Sequence, residues 1–344
     1  MEVSIKKFWS FLLSFALSFS VLCPAFAVKA QTNDMVQVEC NGYAFELTET
    51  VNSLNQTVRT FERPQGTSPQ SDVDHAETKA LLLSLGADQT LIDNLTKEDL
   101  DEYSTSYQLV GVTTYTKTDA DGNTVNLDED VALRESSLVR ANQEQTRSSG
   151  DTSVTTEDSY MRIYYLISYK GGGEYWFSSN ARWLTMPNMR FTDSLGSCAQ
   201  NCTVVNNTRS GYYTYDEKAT AYGSVTNKTH REDITTFKNA VNGSWYGSIG
   251  IFSLPKDIIN STSSFRYSNF FAHYEYRGHV NYPNEAMYFC TTSSYTHATI
   301  GVSVVPSAVI QFPKPKATAA IGIDVKGSVD IRTAEPETDI YYTP

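Results

Sequence analysis

Positive charge is scarce in this chain of 344 residues, which has 27 lysine and arginine residues against 39 aspartate and glutamate residues. The formal net charge is −12 at pH 7. Because a negatively charged chain repels polyanions at long range, we exclude nucleic acid and anionic membrane surfaces from the expected partners. The length allows one large domain or two ordinary ones.

Long apolar runs are also scarce. The run from Phe8 to Cys23 has about 16 residues, fewer than the roughly 20 that a membrane-spanning helix needs. Lys6 and Lys7 precede this run and Ala25-Phe26-Ala27 ends the segment, which is the order of a secretory signal peptide. We therefore predict a signal peptide over residues 1–27 and a mature chain without a membrane span.

The small residues at the end of this segment predict cleavage between Ala27 and Val28. Ala30 provides an alternative cut, after which the mature chain would begin at Gln31. With either cut, we expect the protein to be secreted and extracellular.

Cysteine is rare, with five residues in the whole chain. Four of them lie beyond residue 27, and an even number in an exported protein predicts two disulfides, for which three connectivities exist. We predict one disulfide between Cys198 and Cys202, which could close a short loop, and a second between Cys40 and Cys290. A zinc site is the alternative, but no histidine lies at ligand spacing from the first pair, so we predict no metal site.

The familiar motifs of catalysis and cofactor binding are missing. The sequence contains no G-x-S-x-G, H-E-x-x-H, P-loop or G-x-G-x-x-G pattern. We therefore expect no cofactor, and we favour binding over catalysis as the activity of this chain.

The densest cluster of titratable side chains lies between residues 271 and 279. On a strand, His273, Glu275, Arg277 and His279 share one face because side chains alternate from one side to the other. A titratable stripe of this kind is a candidate catalytic site, and His297 on a later strand could meet it. The alternative interpretation is the solvent-exposed face of a strand whose other face is buried, and we favour that alternative.

Residues 72–104 form the clearest helical stretch. Asp74 and Glu77 fit a capping box, and Thr96 and Asp99 mark a further helix start. We predict three short helices that form a small subdomain. A unit of this size does not fold alone, so we expect it to pack on the rest of the chain.

The remainder of the N-terminal region, residues 28–127, is predicted to form strands. Residues 35–63 alternate around an Asn41-Gly42 turn and predict a hairpin or two short strands, and residues 107–127 predict a second hairpin. The charge-rich stretch 128–158 is predicted to be a linker that contains a helix.

From Ser159 onward the chain is rich in tyrosine and β-branched residues with period-two alternation. Short stretches of this kind predict a sandwich or barrel of antiparallel strands. We predict a C-terminal β domain over residues 159–344, with one helical turn at residues 234–241. The expected fold class is α+β, predominantly β: a small helical subdomain plus a C-terminal antiparallel β-sandwich-like domain.

Two segments resemble uncharacterised secreted proteins of Gram-positive bacteria. They are residues 81–100, with the run Leu91-Ile92-Asp93-Asn94-Leu95, and residues 183–196, with the run Asp193-Ser194-Leu195-Gly196. That group has no known activity, so the resemblance implies secretion and nothing further about function.

These observations favour a secreted, non-enzymatic protein that acts by binding an unknown ligand at or beyond the cell surface. One alternative is a secreted hydrolase that uses the strand face of His273, Glu275 and His279. Another is a secreted toxin or a self-assembling β-protein.

Overall fold

A computed structural model describes residues 34–52, 54–63, 74–119, 123–149, 158–185, 192–260, 262–298, 308–311, 320–323, 331–334 and 337–342. The predicted signal peptide and the predicted cleavage site at Ala27 and Val28 lie outside these residues. Of the described residues, 62% lie in strands and 17% in helices, and the sheets are antiparallel, so the predicted predominantly β, α+β class is confirmed.

The strands of the described residues are β1 (Asp34–Cys40), β2 (Tyr43–Val51), β3 (Thr57–Glu62), β4 (Gln108–Thr118), β5 (Thr124–Leu127), β6 (Ser159–Gly171), β7 (Glu174–Trp183), β8 (Thr192–Gln200), β9 (Cys202–Val204), β10 (Ser210–Ala221), β11 (Ser224–Asp233), β12 (Thr236–Asn242), β13 (Trp245–Ser253), β14 (Ile258–Ile259), β15 (Ser263–Val280), β16 (Met287–Ala298), β17 (Ala308–Gln311), β18 (Ala320–Ile323), β19 (Ile331–Ala334) and β20 (Glu337–Tyr342). The helices are α1 (His75–Ser84), α2 (Gln89–Asn94), α3 (Lys97–Ser104) and α4 (Glu129–Ser149).

Two sheets contain most of the strands. The first has 12 strands, with the order β1-β2-β3-β4-β6-β7-β15-β10-β11 and with β5, β9 and β14 paired beside it. The second has six strands, with the order β12-β13-β8-β16-β19 and with β20 paired to β16. Strands β17 and β18 form a separate pair. Residues 236–242, predicted as part of a helical turn, form β12 instead, because they pair with β13 along their whole length.

The first sheet joins the predicted N-terminal region to the predicted C-terminal domain. Strand β4 pairs with β6 from Gln108 opposite Tyr169 to Thr118 opposite Ser159. The stretch 128–158, predicted as a linker, contains α4. It therefore connects β5 to β6, two strands that both pair with β4 in the first sheet.

Capping side chains fix the starts of the three short helices. Asp74 accepts hydrogen bonds from two backbone N–H groups at the start of α1, and Asp88 accepts one at the start of α2. Thr96 and Asp99 form a reciprocal capping box at the start of α3. Because each cap satisfies backbone donors that the first helical turn leaves unpaired, helices this short can form at defined positions.

The main core lies between the two sheets and is bridged by hydroxyl groups as well as by apolar contacts. The Tyr274 hydroxyl donates to Ser248 Oγ at 2.6 Å, and Ser293 Oγ donates to Ser179 Oγ at 2.8 Å. Tyr165 and Thr291 are joined in the same way. These bonds connect one sheet to the other directly, so the core satisfies its buried polar groups across the interface.

A second core lies between the helices and the opposite face of the first sheet. Its buried residues include Leu82, Leu85 and Leu91 from the helices and Leu166 and Trp176 from β6 and β7. The central strands of the first sheet are therefore covered on both faces.

Ion pairs also connect the helical layer to the first sheet. Asp88 Oδ2 lies 2.8 Å from Arg182 Nη1 and 3.4 Å from Arg162 Nη1. Burial opposes ionisation of the Asp88 carboxyl, but Arg182, the backbone N–H of Thr90 and Arg162 together hold its pKa below the ordinary value. Asp88 is thus the N-cap of α2, and its ion pairs connect that helix to β6 and β7.

We expect Asp88→Asn to lower the free energy of unfolding by about 2 kcal/mol at pH 7, because asparagine still caps the helix but removes the charge that both arginines face. A lowered folded-state pKa stabilises the fold above the unfolded-state pKa, and that contribution is lost as the pH falls through the folded-state value. The difference between the two proteins should therefore shrink below about pH 4. Urea unfolding at several pH values measures it.

The control is Asp93→Asn, which changes the same charge at an exposed position of the same helix. We expect a change within about 0.5 kcal/mol. Equal effects of the two substitutions at pH 7 would contradict a stabilising role for the buried pair.

Candidate functional site

Strand β15 carries the predicted titratable stripe, and its odd-numbered side chains share one face as expected. That face lies under the helices. His273 and Glu275 are only 4% and 8% exposed. The interpretation of the stripe as a solvent-exposed strand face is therefore wrong for these two residues, because the helical layer covers this side of the sheet while the second sheet covers the other.

Hydrogen bonds occupy the reactive atoms of both residues. His273 Nδ1 lies 2.8 Å from Asn180 Oδ1, and His273 Nε2 lies 3.3 Å from Glu275 Oε2. Ser210 Oγ donates to the other carboxylate oxygen of Glu275 at 2.8 Å. A serine nucleophile needs a base that takes its proton, and here the serine hydroxyl contacts the carboxylate, not the imidazole. The arrangement suits a satisfied buried network better than a catalytic triad.

The remaining residues of the stripe point to other partners. Arg277 forms ion pairs with Glu102 at 3.0 Å and with Glu174 at 3.3 Å. His279 is exposed, and its Nδ1 lies 2.9 Å from the carbonyl oxygen of Val280. His279 is also six positions from His273 along the strand, which corresponds to about 20 Å. His273, Glu275 and His279 therefore do not converge on one point.

His297 belongs to a different network. It lies on β16 in the second sheet, where its Nδ1 is 2.6 Å from Asp193 Oδ1. Tyr295 donates to Asp193 Oδ2 at 2.7 Å, and Trp183 Nε1 donates to the Tyr295 hydroxyl at 3.1 Å. This network faces the core between the sheets, whereas His273 faces the helices. The first sheet separates the two histidines, so the predicted meeting of His297 with the stripe does not occur. Sequence patterns gave no sign of Asp193.

The predicted disulfides Cys198–Cys202 and Cys40–Cys290 are absent from the described residues, where all four cysteines are thiols. Cys198 lies in β8 of the second sheet and Cys202 in β9, which pairs with β15 of the first sheet. The chain crosses between the sheets at Asn201, which has a φ of 54°. Cys40 and Cys290 are likewise in different sheets.

Burial raises the pKa of the Cys202 thiol far above its ordinary value. Since the thiolate is the nucleophilic form, Cys202 is poorly suited to attack a substrate. The structure thus gives this cysteine a packing role.

A metal-binding cluster and a membrane-spanning helix are both missing from the part of the chain that the structure describes. These residues include no group of three or more histidine, cysteine, aspartate or glutamate side chains arranged to hold a metal ion. None of their helices combines the length and the apolar character of a membrane-spanning segment.

A cleft of about 420 Å³ opens where the first sheet splits between β2 and β3. The two strands pair only from Thr48 opposite Thr60 to Val51 opposite Thr57. Beyond Thr48, towards the Asn41-Gly42 turn, β2 stays paired with β1 while β3 stays paired with β4. The cleft occupies the gap that this divergence leaves, beside α1.

The cleft combines apolar walls with an acidic lining. The residues around it are Met35, Ala44, Phe45, Glu46, Thr48, Thr60, Phe61, Glu62, Arg63, Asp74, Glu77, Thr78, Leu81 and Ser104. Consecutive strand residues, such as Phe45 and Glu46, contribute from opposite faces of the sheet. The cleft therefore passes through the sheet at the strand edges and does not lie over one face.

Some of the charges that line the cleft have fixed partners. Arg63 donates to the backbone oxygens of Ser104 and Ser106, at 2.6 and 3.2 Å, so its guanidinium is held at the end of α3. The hydrogen bond from Tyr43 and those from the first turn of α1 lower the pKa of Asp74. Glu46 and Glu77 are exposed, and the cleft has an excess of negative charge.

We expect His273→Leu to lower the free energy of unfolding by about 2 kcal/mol, because it leaves Glu275 and Asn180 buried without their imidazole partner. His279→Leu, at an exposed position of the same strand, should change it by less than about 0.5 kcal/mol. Urea unfolding followed by near-UV circular dichroism compares them. Equal stability of the two variants would show that the buried network contributes nothing to the fold.

The chain that begins at Val28 should have four titratable thiols when it is denatured without a reductant, since the structure joins none of the four in a disulfide. In the native protein Cys40 should react first with Ellman's reagent, because it is half-buried while the other three are buried. Detection of fewer than four thiols in the denatured protein would restore the predicted pairings.

Comparison with known proteins identifies no family for this chain. No family model matches the chain, and no curated protein matches it. Among solved structures, the NetB toxin of Clostridium perfringens in its membrane-inserted form is similar at 6% identity and a TM-score of 0.17, over 54% of this chain and 91% of that one. A structure described as a pore forming protein has 7% identity and a TM-score of 0.18, over 69% and 96%. Clostridium perfringens delta-toxin has 7% identity and a TM-score of 0.15, over 67% and 89%. At these TM-scores the superpositions do not establish a shared fold.

Proposed function

We propose that this protein is a secreted binding protein that acts at or beyond the cell surface and takes its ligand in the cleft between β2, β3 and α1. The observation that carries this proposal is a cleft of about 420 Å³ with apolar walls and an excess of carboxylates. A volume of this size lies in the range of small-ligand sites. The ligand that complements it has an apolar body and a cationic group.

Each part of the cleft has a distinct role in this proposal. Phe45, Phe61 and Leu81 supply apolar surface that gains free energy when a ligand displaces water from it. Glu46 and Glu77 attract a cation and are accessible to it. Arg63, the one basic residue among the described residues of the lining, is held by backbone oxygens and offsets little of this negative charge.

Hydrolysis by the His273–Glu275–His279 face is the less favoured function. Substrate would have to reach an imidazole that the helices cover, and both ring nitrogens already face Asn180 and Glu275. His279 lies too far along β15 to act with them. By contrast, no packed element among the described residues has to move for a ligand to enter the cleft.

Dansylcadaverine, which joins an apolar fluorophore to a primary ammonium group, tests the proposal directly. We expect it to bind with a rise in fluorescence, and neutral dansyl amide to bind more weakly. The double substitution Glu46→Gln with Glu77→Gln should weaken binding of dansylcadaverine by about fivefold or more, since an exposed charge pair contributes up to about 1 kcal/mol. Added salt should weaken it as well.

The control for net charge is Glu98→Gln with Asp93→Asn, two exposed acids of the helical layer outside the cleft. This variant should bind dansylcadaverine as the parent protein does. An equal loss of dansylcadaverine binding in both double variants would indicate an effect of the protein's net charge and not of the cleft. Equal binding of the charged and neutral dyes would contradict a site for cationic ligands.

A further inference from the structure

We infer that the cleft receives an extended peptide segment as an additional strand between β2 and β3, with side chains that alternate between apolar and cationic. This inference rests on the proposed binding function and adds the chemical class of the ligand and its mode of recognition.

The backbone of β2 presents edge positions to the cleft that pair with no other strand among the described residues. Asn41 and Gly42 have φ values of 50° and 85° and form a two-residue turn, which makes Cys40 opposite Tyr43 a hydrogen-bonded pair. In an antiparallel ladder, hydrogen-bonded pairs alternate with pairs that share no hydrogen bond, so Phe45, two residues after Tyr43, also bonds towards β1. The N–H and C=O groups of Ala44 and Glu46 then point the other way, towards the gap.

The backbone of β3 presents a matching position. Arg63 N–H donates to the oxygen of Tyr107, which continues the ladder with β4, so the odd-numbered residues of β3 bond towards β4. Glu62 therefore directs its N–H and C=O groups towards β2, where the β2–β3 ladder has already ended at Thr48 and Thr60. Both edges of the gap can hydrogen-bond one inserted strand.

The two faces of the sheet set the side chains that the inserted strand should carry. Thr48 and Thr60 lie opposite each other, so Glu46 and Glu62 share their face. Phe45 and Phe61 lie on the other face, with Leu81 of α1. Because side chains of a strand alternate, one set would contact the apolar wall and the next would approach the carboxylates. Valine alternating with lysine meets both requirements.

The length of the gap sets the length of the peptide. Within the described residues, the part of β2 that has no partner strand on this side runs from Tyr43 to Leu47, a distance of about 13 Å in extended conformation. A segment of five residues spans it. Main-chain hydrogen bonds would supply affinity, and the alternating side chains would supply specificity, as in other cases of strand addition.

Acetyl-Lys-Val-Lys-Val-Lys-amide is the test peptide, measured by isothermal titration calorimetry on the chain that begins at Val28. One comparison peptide carries N-methyl groups on the two valine amides, which removes main-chain donors and keeps every side chain. The other, acetyl-Lys-Lys-Val-Val-Lys-amide, keeps the composition and breaks the alternation. We expect the N-methylated peptide to bind at least about fivefold more weakly, since each lost hydrogen bond is worth about a factor of five. We expect a loss of similar size for the rearranged peptide, because one lysine then faces the apolar wall and one valine faces the carboxylates.

Two proline variants locate the bound strand. Ala44→Pro removes an N–H group that faces the gap, and Gln37→Pro removes one that faces outwards from the free edge of β1; neither group bonds within the β1–β2 hairpin. We expect Ala44→Pro to weaken binding of the test peptide and Gln37→Pro to leave that binding unchanged. The reverse result would place the peptide on the outer edge of β1 and overturn the inference. Thermal unfolding checks that both variants fold.

The outcomes separate this inference from the proposed function. Binding of dansylcadaverine with equal binding of the N-methylated and unmodified peptides would leave the cationic site intact and overturn strand insertion. Failure of both the dye and the peptides to bind would overturn the two proposals together. Because the peptide comparisons use the unaltered protein, they decide the question even where a proline variant does not fold.

Discussion

Burial of the first sheet on both faces is the constraint on which the rest of this structure depends. Strands β6, β7 and β15 pack against the second sheet on one side and against the helices on the other. Where both layers cover these strands, polar side chains are shut off from solvent and must find a partner inside the protein. His273 and Glu275 do so through Asn180 and Ser210, and Asp88 does so through two arginines.

The constraint relaxes towards the edge that contains β1 and β2, and the cleft forms there. Phe45 and Leu47 pack against the helical layer, while β3 follows β4 into the centre of the sheet. The pairing of β2 with β3 ends at Thr48 and Thr60, and the cleft lies beyond this point beside α1. The buried polar network at the centre of the sheet and the cleft at its margin therefore both lie beside the helical layer.

Local features of the sequence predicted local structure well. The helices begin at Asp74, Asp88 and Thr96 because capping is decided by residues two or three positions apart. The turn at Asn41-Gly42 is likewise fixed by the tolerance of its two residues for positive φ. The alternation of β15 correctly placed His273 and Glu275 on one face.

What the sequence could not supply was the identity of the element that covers each face. Burial of His273 depends on helices about 170 to 200 positions earlier in the chain, and no spacing within β15 reports them. The predicted disulfide between Cys198 and Cys202 is absent for the same reason. The two cysteines are near in sequence but belong to strands of different sheets. The cleft could not be predicted from the sequence. It forms where the pairing of β2 with β3 ends, at Thr48 and Thr60, and the alternation of side chains does not change at that point.

The hydroxyl groups that bridge the two sheets have a consequence for their alignment. Apolar faces can slide past one another with a small change in contact, because dispersion has little directionality. The bonds of Tyr274 with Ser248 and of Ser293 with Ser179 allow no such freedom, since a shift by one residue, about 3.3 Å, would break them and leave buried hydroxyls unsatisfied. The hydrogen bonds across the core therefore hold the two sheets in one register. They also constrain the sequence, because each of these hydroxyl-bearing residues must lie opposite its partner in the other sheet.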